Sequence, residues 1–155
     1  MTTIKLSLPL LLASLPITLL LSACSSSDVS FNLSSSADLN RNNFNETLPM
    51  VVRVYQLTAL ETFKMASFEQ LWQADELLLG EQLLAKHEVM LQPAGQADYQ
   101  FSLHDDTEFV AVFAPFRRPD GEGWHWVHKV NNSVFALDSS FDLQLMNNKI
   151  YYQAD

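Results

Sequence analysis

The chain has 155 residues, 48% of them hydrophobic, and carries 18 acidic against nine basic side chains, for a net charge of −9 at pH 7. This length fits a short leader and one folded domain, and it excludes two domains of ordinary size. The acidic balance, with no run of Lys and Arg along the sequence, excludes nucleic acid as a partner because such a surface repels a phosphate backbone.

Residues 1–23 have the order of a secretory signal: one basic residue, Lys5, then an aliphatic stretch, then small residues. The leader ends in a lipobox, Leu21, Ser22, Ala23 and Cys24, which predicts cleavage before Cys24. A membrane-spanning helix is the weaker reading, because the apolar stretch is short and contains Pro9 and Pro16. An ordinary secretory signal would leave the chain's single cysteine unexplained.

A lone cysteine excludes an internal disulfide and a cysteine-rich metal site, and its place here predicts lipidation. Cys24 is expected to carry a diacylglyceryl and an N-acyl chain, which together anchor a protein almost permanently, and no other cofactor is predicted. Residue 25 is Ser rather than the Asp that retains lipoproteins in the inner membrane of enteric-like bacteria. The predicted location is therefore the periplasmic face of the outer membrane.

The mature chain divides into a lipidated tether, residues 24–28, and one domain, residues 29–155. Alternating apolar residues predict a strand over Val29–Leu33, and β-branched residues predict another over Met50–Leu57. Between them Ala37–Leu48 is a long polar loop, a length that is usually functional or disordered in a compact domain. An exposed Phe44 or Leu39 with a polar rim would suit a protein contact. The candidate partner-binding residues are Asp38, Leu39, Asn40, Arg41, Asn42, Asn43, Phe44, Asn45 and Glu46.

A small helical insertion is predicted over Glu61–Gly80, with Ser67 as the N-cap of one helix and Asp75 as the cap of a second that ends at Gly80. After the insertion, apolar residues again alternate with polar ones, as in β-strands. Further strands are predicted over Leu83–Gln92, Tyr99–Leu103, Phe109–Phe116, Trp124–Val130, Ser133–Asp138, Phe141–Leu145 and Ile150–Tyr152. Short strands at this spacing predict an all-β fold, an antiparallel β-sandwich.

The sequence offers little for catalysis or metal binding. His125 and His128, three apart on a strand, are expected to point to opposite faces, and His104 with Asp105 and Asp106 falls in a turn. We predict no metal site and no enzyme, because no nucleophile motif or acid–base pair of a hydrolase is present.

A sugar-binding lipoprotein is the alternative function. Trp124 and Trp126 are expected to share one strand face, where they would stack on a glycan together with Tyr99. A role for these rings in the core or in covering a sheet edge is the more common reading.

An ordered set of motifs resembles the outer-membrane lipoprotein of the type VI secretion system, the TssJ, SciN or VasD family. It begins with PMVVRVYQL at Pro49–Leu57 and continues through VAVFAPFR at Val110–Arg117 to Trp126, with further matches at Phe63, Ala66–Phe68, Leu71, Leu79–Gly80 and Leu91–Pro93. The chain departs from the family in lacking Pro and Gly between Asn40 and Leu48.

The resemblance implies a transthyretin-like β-sandwich with an added helical piece. It further implies a protein that docks the periplasmic C-terminal domain of TssM and, through it, the TssL/TssM membrane complex. The family's contact is the loop between the first two strands, which corresponds here to Ala37–Leu48.

Overall fold

The computed structural model describes residues 28–119, 121–130 and 139–153. Eight strands lie in this part of the chain and form two four-stranded sheets. The first sheet has the order β4-β1-β7-β8, with β1 at Asp28–Ser35, β4 at Gln96–Ser102, β7 at Ser139–Met146 and β8 at Lys149–Gln153. The second has the order β3-β2-β5-β6, with β2 at Met50–Leu57, β3 at Leu83–Leu91, β5 at Phe109–Phe113 and β6 at His125–Lys129.

The core lies between the two sheets and follows the predicted alternation. On β1, Val29, Phe31 and Leu33 are buried and the residues between them face outward. The Phe31 ring contacts Phe141 of its own sheet at 5.4 Å between centroids and Trp126 of the other sheet at 6.1 Å. This packing confirms the predicted β-sandwich.

One strand pair departs from the antiparallel pattern. β1 and β7 run parallel, with Phe31 opposite Phe141. A parallel pair needs a long connection rather than a tight turn. Here the chain between β1 and β7 includes all four strands of the second sheet. The sequence therefore lacks the strand–helix–strand pattern that usually indicates a parallel pair.

The outer face of the second sheet is covered by the predicted helical insertion, which forms α1 at Glu61–Met65, α2 at Phe68–Leu79 and a 3-10 turn at Gly80–Gln82. Ser67 and Gln70 form a reciprocal capping box at the start of α2. Ala74 breaks the helical backbone inside α2, and the Asp75 carboxylate then accepts the Glu76 N–H at 2.9 Å. The predicted second cap is therefore present at a kink within one helical segment.

Asp75 also ties the helix to the sheet. It accepts a hydrogen bond from the Tyr55 hydroxyl at 2.7 Å and pairs with Arg53 at 3.1 Å and Lys86 at 3.0 Å. Burial opposes ionisation of this carboxyl, but those hydrogen bonds and charges outweigh it and lower the pKa of Asp75 below 3.8. The insertion is thus fixed by an ion cluster as well as by apolar contacts.

Several predicted segments fall outside the described residues: the leader 1–23, Cys24 and the rest of the tether up to residue 27, and the predicted strand Ser133–Asp138. Within the described ranges, no helix has the length and apolar character needed to cross a bilayer.

Candidate functional site

The loop between β1 and β2, residues 36–49, is closed at its base by backbone hydrogen bonds. The Ser36 carbonyl accepts the N–H groups of Leu39 at 3.2 Å and Ala94 at 3.0 Å, and the Leu48 N–H donates to the Leu39 carbonyl at 3.3 Å. Ser36 N–H donates in turn to the Leu145 carbonyl at 3.1 Å. The predicted loop over Ala37–Leu48 is therefore anchored at its base to strand β7 and to the turn between β3 and β4.

Two of the candidate contact residues belong to the interior. Leu39 is 1% exposed and Asn40 is 5% exposed. The Asn40 amide accepts the Arg117 N–H at 2.9 Å and donates to the Pro49 carbonyl at 3.2 Å. The prediction of Leu39 as an exposed anchor is wrong, because its side chain is part of the core. Burial of this apolar side chain fixes the loop to the domain.

The tip of the loop, residues 41–46, is half-buried at Arg41 and Asn42 and exposed from Asn43 to Glu46. The Asn42 side-chain oxygen accepts the N–H groups of Phe44 at 2.8 Å and Glu46 at 3.0 Å, and its amide nitrogen donates to the Glu46 carboxylate at 2.7 Å. Arg41 donates to the Asn45 carbonyl and side chain at 2.9 and 3.0 Å. The tip is thus organised by its own side chains.

Asparagine replaces glycine at the positions of this loop that need a left-handed backbone. Asn40 has φ +51° and Asn45 has φ +65°, a region that Asn tolerates better than other residues with a side chain. This explains how the loop turns without Pro or Gly between residues 40 and 48.

Phe44 stands at the end of the ordered tip with 84% of its surface exposed. A phenylalanine this exposed contributes nothing to the core, and its backbone is held by Asn42. Of the two apolar residues that the sequence offered as an exposed contact, the structure exposes Phe44 and buries Leu39. The remaining candidates differ in their position: Asp38 is half-buried and hydrogen-bonded to Ser36, and Asn43 is exposed beside Phe44.

A second segment braces the tip from the other sheet. Arg118, which follows β5, donates to the carbonyl of Arg41 at 3.4 Å and to the carbonyl of Asn42. Its neighbour Arg117 holds Asn40 through the backbone. The sequence patterns assigned neither arginine to the site. The signal that could have indicated them is the adjacent pair Arg117 and Arg118 in an acidic chain.

Between the loop and α2 lies an open groove of about 290 Å³, the loop–helix groove. Its apolar lining includes Pro49, Val51, Pro115 and the indole of Trp72, and its polar lining includes Arg53 and Arg117. Asn40 links the groove to the loop tip because it lines the groove and directly precedes the tip. The tip and the groove therefore form one continuous surface.

The residues considered for metal binding lie apart. His125 packs against Phe63 on the helix-covered face, while His128 stacks near Phe141 between the sheets, so the predicted opposite orientation is confirmed. The His104 ring accepts the Asp106 N–H at 3.2 Å in a turn. In the part of the chain that the structure describes, no three His, Asp or Glu side chains form a group suited to a metal ion.

The predicted tryptophan platform is wrong. Trp124 precedes β6 and packs against Phe68 and Phe113 beneath the helices, at 5.6 and 5.7 Å. Trp126 packs between the sheets against Phe31 and Phe141. The two indoles face opposite sides because each is drawn into a separate aromatic cluster, so they cannot stack on one sugar.

Solved structures share this fold. The structure of Serratia marcescens Lip, a membrane-bound component of the type VI secretion system, is similar with a TM-score of 0.75 and 17% identity, covering 83% of this chain and 98% of Lip. A chain in a type VI membrane complex is similar with a TM-score of 0.74 and 23% identity, covering 84% and 100%.

A chain in a structure described as the TssM C-terminal domain (869-1107) from EAEC is similar with a TM-score of 0.68 and 21% identity, covering 83% and 98%. At such identities these likenesses establish the fold alone. Among curated proteins, no sequence is similar enough to count as a match.

Fold and loop together define a transthyretin-like β-sandwich that carries a helical insertion and presents an ordered loop at one end. The sequence profile of one family, described as type VI secretion lipoprotein, VasD, EvfM, TssJ, VC_A0113, matches residues 27–148. The chain therefore belongs to the family of type VI secretion lipoproteins, as its motifs predicted.

Proposed function

We propose that this protein is a docking adaptor, held to the periplasmic face of the outer membrane by lipid on Cys24, that binds the periplasmic domain of TssM through the tip of its β1–β2 loop. Its role is structural rather than catalytic, and its sole attached group is the lipid. The single observation that carries the proposal is Phe44, an exposed aromatic side chain on a loop whose backbone is already ordered.

The length of the tether supports this arrangement. Three residues separate Cys24 from Asp28, the first residue of β1, so the lipid-bearing residue lies within about 14 Å of that strand's start. β1 has eight residues and rises about 3.3 Å per residue, which carries the chain roughly 25 Å away before the loop begins. The loop therefore begins a strand length away from the end of the domain that carries the tether, which suits contact with a partner in the periplasm.

The ordered tip supports tight binding. Ordering a flexible loop at an interface costs free energy, whereas a preorganised loop avoids most of that cost. Burying a phenylalanine side chain contributes about 1.5–3 kcal/mol, and aromatic residues with a polar rim are typical of the energetic centre of an interface. Arg41, Asn43 and Glu46 would supply that rim.

The experiment compares two equally exposed apolar side chains in the mature lipidated protein, held in detergent. Phe44→Ala is expected to weaken binding to the purified periplasmic domain of TssM by about 2 kcal/mol, roughly 30-fold. Leu77→Ala is the matched control, because Leu77 is 86% exposed but lies on α2. Equal affinities of the two variants, measured by titration calorimetry, would rule out the tip as the contact.

Cys24→Ala tests the anchor separately. Without the thiol no diacylglyceryl group can be attached, so the protein is expected in the soluble periplasmic fraction, whereas the wild type is expected with outer membranes. Membrane fractionation with immunoblotting measures this. A Cys24→Ala protein that still sediments with the membrane at wild-type level would show that the lipid is not the anchor.

A further inference from the structure

The four arginines of the chain, Arg41, Arg53, Arg117 and Arg118, gather at the end of the sandwich that carries the loop. They come from three separate segments of the sequence, so no long basic run indicates the cluster. After removal of the leader with Lys5, the chain carries 18 acidic and eight basic side chains. The structure therefore brings four of these eight basic side chains to one end of the domain.

Within the residues that the structure describes, three of these arginines lack a carboxylate partner. Arg53 pairs with Asp75 at 3.1 Å, but within the described residues no Asp or Glu lies within ion-pair distance of Arg41, Arg117 or Arg118. Arg41 and Arg118 donate to neutral oxygens of the loop, which orients their guanidinium groups but leaves their charge uncompensated. A neutral donor could make the same hydrogen bonds to these oxygens, so the hydrogen bonds alone do not explain why the residues are arginines.

Arg117 is the clearest case. Its backbone N–H is used by Asn40, while its exposed guanidinium makes no hydrogen bond or ion pair to any residue in the described ranges. It lines the loop–helix groove together with the half-exposed Trp72. Guanidinium groups match carboxylates in a bidentate geometry, and an indole offers apolar contact area.

We propose that the loop–helix groove binds an acidic segment of the periplasmic partner, with an apolar side chain against Trp72 and Pro115 and a carboxylate on Arg117. This inference rests on the proposed function and adds the chemistry of the partner to it. Charge complementarity carries it: uncompensated cations beside an apolar groove select an anionic segment, and the acidic remainder of the surface repels that segment elsewhere.

An anionic lipid surface offers similar charges but is the less suitable occupant. The groove lies at the loop end of β1, a strand length away from Asp28, the end of the strand to which the lipidated tether connects. Glu88 also lines the groove. Its carboxylate would repel a continuous anionic surface, whereas a single acidic side chain placed on Arg117 could avoid it.

The test uses Arg117→Glu in the mature lipidated protein, with Lys64→Glu as the matched control. Lys64 is an exposed residue of α1, so the control makes the same change of charge away from the groove. Affinity for the purified periplasmic domain of TssM is measured across a series of NaCl concentrations. We expect Arg117→Glu to weaken binding about tenfold at low salt and to flatten its salt dependence, and Lys64→Glu to do neither.

The outcomes separate this inference from the proposed function. If the wild type binds, Phe44→Ala weakens it and Arg117→Glu does not, the groove assignment is overturned while the adaptor function stands. Equal weakening by Arg117→Glu and Lys64→Glu would also overturn it, as a general effect of net charge. No binding by the wild type would refute both. Arg117-dependent binding to phosphatidylglycerol vesicles, with the TssM domain unaffected, would assign the groove to lipid instead.

Discussion

Asn42→Ala removes the side chain that organises the loop tip while leaving the domain core intact. Its side chain makes three hydrogen bonds, accepting from the N–H groups of Phe44 and Glu46 and donating to the Glu46 carboxylate. A hydrogen bond contributes a net 0.5–1.5 kcal/mol, and the partial exposure of this site favours the lower half of that range. The variant is therefore expected to lose about 2 kcal/mol of local order in residues 42–46.

The loss is expected in binding rather than in global stability. None of residues 42–46 is buried, so they add no core contact. The variant must regain this order when it binds, at a cost of the same roughly 2 kcal/mol. Its affinity for the TssM domain is therefore expected to fall by up to about 30-fold. The urea midpoint of the domain should stay within error of the wild type.

Amide hydrogen exchange tests the cause directly, because the N–H groups of Phe44 and Glu46 are the donors that lose their acceptor. Both should exchange faster in Asn42→Ala. Asn43→Ala is the matched control, since among the described residues the Asn43 side chain has no hydrogen-bond partner. Unchanged exchange in Asn42→Ala, or the same acceleration in both variants, would refute the reasoning.

Three further predictions concern the scaffold. Asp75→Ala should destabilise the domain by about 3 kcal/mol in urea unfolding, because it leaves Arg53 and Lys86 without their shared carboxylate, whereas Glu76→Gln at an exposed position should have little effect. The pKa of Asp75 lies below 3.8, so its stabilising contribution is present above that pH and should be lost as the pH falls further, a loss absent from Asp75→Ala. Burial lowers the pKa of His87 below 6.5, and its Nε2 accepts a hydrogen bond from the Gln56 amide at 3.1 Å. The free energy of unfolding should therefore decrease as the pH falls below 6.5, more steeply in the wild type than in His87→Gln.

Short-range sequence patterns predicted β2 and the start of α2, because both depend on residues that are close in sequence. β2 begins and ends at the predicted residues, Met50 and Leu57, because a β-branched run bounded by a proline has few alternatives. The Ser67 cap was visible because the capping box is a short-range motif. Both signals lie within one short stretch of the sequence.

Long-range features were not visible in the same way. The parallel pairing of β1 with β7 joins strands at the two ends of the domain, and no local pattern encodes it. The burial of Leu39 depends on the core beneath the loop, and the side taken by Trp124 depends on Phe68 from the insertion. The arginine cluster at the loop end arises from three separate segments and becomes evident when the sheets are assembled.

Site-specific photo-cross-linking in living cells tests the central claim most directly. A photoreactive phenylalanine analogue replaces Phe44 in the full chain, and the same analogue replaces Leu77, the equally exposed residue on α2. The account predicts that position 44 cross-links to the periplasmic domain of TssM and that position 77 does not. Cross-linking to TssM from position 77 alone, or from neither position while the protein is lipidated and correctly located, would contradict it.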